Sequence, residues 1–221
     1  VRTRITGDYF VRHCLAAATV ALTSGVSLEH IVAGIESVQS IPGRMERVER
    51  GQDFSVYVDA ARTPNQLCGM LKTLRRVSVE GKIHCVFGGA ERITAEQRAG
   101  LGTIAERYSD QAIITGVDIH NESALEVAHE ILDGFDEVSK AHVIPNRATA
   151  IRHALESAEP GDLVLVAGLG EKPTPFGFEA EIAMTDRQIC DSWFDDPSSL
   201  DALTGQEDQA LPVSYPIDDY R

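Results

Sequence analysis

Short apolar runs that alternate with stretches of helical period constrain this chain more than any other feature. Ile83–Phe87 and Leu163–Ala167 read as strands buried on both faces. Phe54–Asp59, Gln111–Thr115, His142–Ile144 and Asp162–Ala167 have strand length and apolar or β-branched content. Between them lie segments with apolar residues every three or four positions: Pro64–Val77, Thr94–Tyr108, Asn121–Leu132 and Arg147–Ala158. Strands joined by helices of that length make right-handed crossovers, and hence a mostly parallel sheet with helices on both faces. The expected class is therefore α/β, a Rossmann-like sheet flanked by helices. Glu179–Met184 reads as one more strand, followed by a helix over Thr185–Trp193.

Residues 8 to 38 differ. They read as two helices, the first ending near Ser24-Gly25 and the second opening at Ser27. Ile41-Pro42-Gly43-Arg44 then breaks the chain with turn chemistry. At the other end, residues 195 to 221 have no periodicity and carry Pro, Ser, Asp and Gln, the composition of a solvated tail.

In parallel sheets of this kind ligands bind beyond the carboxyl ends of the strands. The loops after Asp59, Phe87, Thr115 and Ala167 are therefore the candidate sites. Composition narrows the ligand. With 20 basic and 34 acidic residues the net charge is −14, which repels nucleic-acid backbones but leaves room for a local nucleotide site. No apolar run approaches the roughly 20 residues that span a bilayer. Cys14, Cys68, Cys85 and Cys190 are scattered without a C-x-x-C pair, which argues against a zinc site or a disulfide framework and suggests a reducing compartment. No histidine pair has metal-site spacing, and of the histidines only His120 stands out, by its loop position. Because no G-x-G-x-x-G follows a strand, dinucleotide binding is disfavoured.

Four segments, in order, carry a family resemblance. Ile41-Pro42-Gly43-Arg44-Met45-Glu46 resembles the linker that precedes the C-terminal domain of the Mur ligases. Val58-Asp59-Ala60-Ala61-Arg62-Thr63-Pro64 resembles their D-Y-A-H-T-P stretch, with Ala60 and Arg62 in place of Tyr and His. Phe87-Gly88-Gly89-Ala90 through Arg98 and Gly102 resembles their Gly-rich loop and K-R-P segment. Thr115-Gly116-Val117-Asp118-Ile119-His120-Asn121-Glu122 and Ala167-Gly168-Leu169-Gly170-Glu171-Lys172 stand where the tripeptide-forming members have T-S-D-N-P-R-x-E and A-G-K-G-H-E. Thr185-Asp186-Arg187 resembles the family's final D-D-R segment.

The resemblance implies an organisation and a chemistry. Residues 1–41 would be the end of the central ATP-binding domain, 42–194 the C-terminal Rossmann-like domain, and 195–221 a tail. The missing initiator Met fits a piece of a longer protein or a processed chain. The implied activity is ATP-dependent amide ligation in peptidoglycan synthesis, in the cytoplasm. A carboxylate of a UDP-linked muramyl peptide is phosphorylated, then attacked by the amine of an amino acid, diaminopimelate or lysine. Arg44, Asp59 and Arg62 would contact the nucleotide; Arg98, Asp118, His120, Asn121, Glu122, Gly168 and Glu171 would hold the substrate. ATP and Mg2+ would be bound mainly by the upstream domain. This chain holds no G-x-x-x-x-G-K-[ST] sequence and no assigned catalytic residue, so alone it would not turn over. The substitutions Ala60, Arg62, His120 and Lys172 also fit a catalytically degenerate paralogue serving as a binding or regulatory module.

Overall fold

The apolar runs pair side by side. The computed structural model describes residues 1–5, 7–89, 93–116, 123–176 and 182–200. Its main sheet is six-stranded, in the order β1(Glu46–Val48), β2(Ser55–Asp59), β6(Leu163–Ala167), β3(Ile83–Phe87), β4(Gln111–Ile114), β5(Ala141–Val143). All neighbours are parallel except β1, which runs antiparallel to β2. The expected α/β class is the observed one.

Successive residues of each strand feed opposite layers, as the two-residue period demands. Tyr57, Cys85, Phe87, Ile114 and Leu165 point to one core, completed by Leu67, Leu71 and Leu74 of α3(Pro64–Val77), Leu101 and Ala105 of α4(Ala95–Tyr108), and Ile131 of α5(Ala124–Leu132). Val56, Val58, Val86, Ile113 and Val166 point to the other, completed by Ile151 and Leu155 of α6(Arg147–Ser157) and Ile189 and Cys190 of α7(Asp186–Asp195). Each fully buried aliphatic side chain contributes about 1.5–3 kcal/mol.

Local chemistry sets the helix starts. Thr63, Thr94 and Thr185 each accept from the backbone N–H three residues on, in capping boxes closed by Gln66, Gln97 and Gln188. Close backbone approach also matters. A Cβ on Gly134 would fall 1.8 Å from the Ala99 carbonyl oxygen, and one on Gly102 would fall 2.1 Å from that of Ile131. These glycines let α4 and α5 pack together.

The boundaries differ from expectation in four places. β1 was not anticipated: it is three residues of Glu-Arg-Val with only Val48 buried, too short and charged to show a period. The strand β7(Thr174–Phe176), antiparallel to β8(Ile182–Met184), contains Pro175 and was also unread. α5 starts at Ala124 behind Ser123, later than Asn121. At the other end α7 continues to Asp195 and a 3-10 turn at Pro197–Leu200 follows, with Leu200 fully buried. Packing against the second core thus extends to Leu200, inside the stretch read as a solvated or loosely packed tail. Residues 201–221 lie outside the described residues.

Preceding the sheet, α1(Asp8–Thr23) and α2(Leu28–Ser37) bury Phe10 and Ile31 but expose Leu15, Val20, Leu22 and Leu28, each by more than half of its surface. Among the described residues no helix is long and apolar enough to cross a membrane.

Candidate functional site

The carboxyl ends of β2 and β6 lie side by side, Asp59 in register with Ala167. Gly168 N–H donates to the Asp59 carbonyl at 2.9 Å, so the two following loops start together. The Pro42-Gly43-Arg44 turn is pressed onto them. Gly43 has φ +61°, and a Cβ there would lie 2.6 Å from Glu171 N and 2.8 Å from Gly170 Cα. Ala60 N–H donates to the Gly43 carbonyl at 3.0 Å. Two glycines and an alanine thus let three separate segments meet backbone to backbone.

This meeting brings Arg44, Asp59, Arg62, Gly168 and Glu171 to one end of the sheet. Arg44 and Glu171 are exposed there, whereas Gly168 is buried. Arg62 Nε donates to the Gly168 carbonyl at 2.9 Å, which bridges the β2 and β6 loops. Arg44 and Arg62 bring two guanidinium groups to this end of the sheet, a group type suited to phosphate or carboxylate oxygens.

Asp59 differs from expectation. It is 4 % exposed. Its Oδ2 accepts from Met45 N–H and its Oδ1 from Ala61 N–H, both at 2.8 Å. Burial pushes the carboxyl above its ordinary value, while those two N–H groups and the Arg44 charge pull it back in part. The carboxylate is turned inward and fastens the linker to the sheet. Met45, with φ +46°, supplies the left-handed turn that aims its N–H at Asp59.

Arg98 is 3 % exposed, and its Nη1 donates to Glu130 Oε2 at 2.7 Å. It lies on the side of α4 that packs against α5 and ties the two helices together. The Gly-rich loop takes part, since a Cβ on Gly89 would lie 3.2 Å from Arg98 Nε. Asp118, His120, Asn121 and Glu122 fall outside the described residues.

One charged pair near these loops escaped the sequence reading. Arg147, first residue of α6, donates through Nε to Asp186 Oδ1 at 2.6 Å and through Nη2 to Asp186 Oδ2 at 2.8 Å. Nη2 also reaches the Ala167 carbonyl at 2.9 Å. The side chains are 1 % and 0 % exposed. Nη1 is buried with no hydrogen-bond partner among the described residues. The bidentate pair locks the starts of α6 and α7 to the end of β6. Only the Asp186-Arg187 dipeptide signalled it in advance, and that signal named no partner.

Comparison with known proteins decides the family. The family model described as "Mur ligase, glutamate ligase domain" matches residues 43–170, more than half of the chain. The chain belongs to the Mur ligase family. It is 41 % identical over 176 residues to UDP-N-acetylmuramyl-tripeptide synthetase of Roseiflexus sp. (strain RS-1), covering 77 % of this chain and 34 % of that protein. To UDP-N-acetylmuramoyl-L-alanyl-D-glutamate--2,6-diaminopimelate ligase of Geobacillus kaustophilus (strain HTA426) it is 37 % identical, covering 78 % and 35 %. A solved structure of a ligase of that diaminopimelate name superposes with a TM-score of 0.63 at 26 % identity, covering 88 % of this chain and 40 % of the other. Mycobacterium tuberculosis folylpolyglutamate synthase complexed with ADP and AMPPCP shares the fold, with a TM-score of 0.59 at 19 % identity over 76 % of this chain and 39 % of that one. This Mur ligase chain spans about a third of the length of the first relatives it matches.

Proposed function

We propose that this chain is the C-terminal part of an ATP-dependent Mur ligase that adds an amino acid to a UDP-linked muramyl peptide in peptidoglycan synthesis. The observation that carries the reading is the convergence of Gly43, Ala60 and Gly170, which places Arg44, Arg62, Gly168 and Glu171 at the carboxyl end of the sheet. The names of its relatives support the reaction class, and several of them specify diaminopimelate, so a diamino acid, diaminopimelate or lysine, is the proposed nucleophile.

In this reading Arg44 and Arg62 neutralise phosphate charge as the acyl phosphate forms, a task of positioning and electrostatics. Gly168 and Glu171, with the loop of Asp118, His120, Asn121 and Glu122, seat the incoming amino acid. Asp59 shapes the nucleotide side by holding Met45 and Ala61. Among the described residues no three His, Cys, Asp or Glu side chains converge as a metal site. By the family resemblance, Mg2+ and most of the ATP contact are assigned to an upstream domain, whose end is residues 1–41. The exposed Leu15, Val20, Leu22 and Leu28 support that assignment, because the rest of a central ATP-binding domain would cover them. Residues 42–194 form the C-terminal domain and 195–221 its extension. Such an enzyme would act in the cytoplasm, where its nucleotide-linked substrate is made.

The test is phosphate release by a ligase-length protein carrying this chain, given ATP, Mg2+, UDP-MurNAc-dipeptide and single amino acids. Release dependent on diaminopimelate or lysine is expected, and its loss in Arg44→Ala. No release with any amino acid would overturn the proposal.

A further inference from the structure

Arg44 can serve a phosphate only if its backbone is fixed, and the linker that carries it is short and exposed at Ile41-Pro42. Two carboxylates hold it from opposite sides. On one side Asp59 Oδ2 takes the Met45 N–H at 2.8 Å. On the other, Glu46 Oε2 takes the Gly43 N–H at 2.8 Å. The Pro42–Gly43 and Arg44–Met45 peptide groups are thus each anchored to a side chain, and the Gly43 carbonyl between them to Ala60 N–H.

The second oxygen of Glu46 is not idle. Oε1 accepts from Arg187 Nη1 at 3.0 Å. Arg187 Nε in turn donates to Asp191 Oδ2 at 2.8 Å, and Asp191 Oδ1 accepts from Arg50 Nε at 2.8 Å. The Glu46 side chain is 13 % exposed and Arg187 is 31 % exposed, so the pair is partly shielded from solvent. Arg187 also donates to the Arg47 carbonyl at 3.2 Å, which keeps the guanidinium against β1. Its neighbour Asp186 is locked into the core by Arg147. The start of α7 therefore has little freedom to move, and the fixity passes through Arg187 and Glu46 to Gly43.

We infer that Glu46 and Arg187 are positioning residues for Arg44, setting the backbone from which that guanidinium reaches the nucleotide phosphates. The inference rests on the reading of Arg44 as a nucleotide contact. Position 46 presents an acceptor oxygen at each of its two terminal atoms, Oε2 to Gly43 N–H and Oε1 to Arg187. In glutamine one of those atoms becomes an NH2 donor, which would face the Gly43 N–H or the Arg187 guanidinium donor to donor.

The experiment is calorimetric binding of AMPPCP with Mg2+ to the ligase-length protein, in a double-mutant cycle with thermal midpoints recorded alongside. Glu46→Gln is expected to weaken binding about tenfold, within the range that small misplacements of a charged contact produce. In an Arg44→Ala background the same change is expected to have almost no further effect. Arg187→Met should weaken binding like Glu46→Gln, and Arg187→Lys should restore part of it. A loss from Glu46→Gln that persists in full without Arg44 overturns the inference, since that is the behaviour of a general structural residue. So does unchanged affinity in Glu46→Gln when Arg44→Ala weakens binding. Unchanged affinity in Arg44→Ala overturns the nucleotide reading itself, and the inference with it. If Glu46→Gln does not fold, Arg187→Lys and Arg187→Met, compared with and without Arg44, decide between the same outcomes.

Discussion

Asp186→Ala is the most informative single change to the fold of this chain. It removes the carboxylate that pairs, among the described residues, with a guanidinium that is 1 % exposed, and leaves that charge inside the protein. Arg147 would lose two hydrogen bonds, of 2.6 and 2.8 Å, and keep only the 2.9 Å contact to the Ala167 carbonyl. Breaking a buried pair by removing one partner costs about 3–5 kcal/mol, mostly because the remaining ion cannot be solvated. That is a large share of a typical stability of about 5–15 kcal/mol. With a urea dependence near 2–3 kcal/mol per molar, the unfolding midpoint should fall by about 1–2 M. Urea titration followed by circular dichroism measures this directly. Added salt should leave the difference between variant and parent nearly unchanged, because a pair this deep is poorly screened. The double change Arg147→Met with Asp186→Leu separates a stranded charge from lost packing. It should recover most of the stability, since apolar groups of similar size often replace a buried pair without loss. A midpoint shift below about 0.5 M for Asp186→Ala, or a double variant no better than the single one, would refute the reasoning.

Three further outcomes are expected. His142 and His153 lie with ring centroids 5.3 Å apart, and burial holds both below the ordinary value of 6.5. The unfolded chain therefore binds protons more readily, and their contribution is complete above 6.5 and lost as pH falls through the lowered folded values. The thermal midpoint should drop between neutral and mildly acidic pH, and drop less in His153→Gln; equal drops would show that these rings are not responsible. Gly134→Ala places a methyl 1.8 Å from the Ala99 carbonyl oxygen, so α4 and the end of α5 must separate. It should cost about 1–3 kcal/mol in a urea titration, and a neutral result would contradict the packing. Thr63→Ala removes the cap of α3 and its reciprocal bond with Gln66, and should cost about 1 kcal/mol by the same measurement.

The parallel sheet could be read from the sequence because its strands are buried on both faces and so carry their burial in composition. Ile83–Phe87 and Leu163–Ala167 are buried at every position. The edge strand β1 buries only Val48, and β7 contains a proline, so neither had a local signature. Loop positions were legible for the same reason as the strands: Arg62, Gly168 and Glu171 follow from where β2 and β6 end, whereas Arg44 was marked by the Pro-Gly-Arg turn that precedes the sheet. What each polar side chain does there was not. Asp59 looks like a free acceptor until Met45 adopts a left-handed turn and brings an N–H back across 14 residues.

Charge is where sequence reasoning is weakest, since a charged residue defaults to the surface unless its partner is known. Arg147 and Asp186 are 39 residues apart, and Glu46 and Arg187 are 141 apart, so no window on the sequence contains both members of either pair. Arg98 shows the same limit. Its match to the family's K-R-P segment suggested a substrate contact and gave no sign that the helix turns that residue toward Glu130 of α5. All three cases have one physical cause. A guanidinium is long enough to leave its own element and is costly to bury alone, so its location is settled by whichever carboxylate the tertiary fold brings within reach. In this chain those carboxylates belong to α7, β1 and α5, elements outside the loops first searched. The geometry of the loops is consequently held from behind, by ion pairs that the site itself does not display.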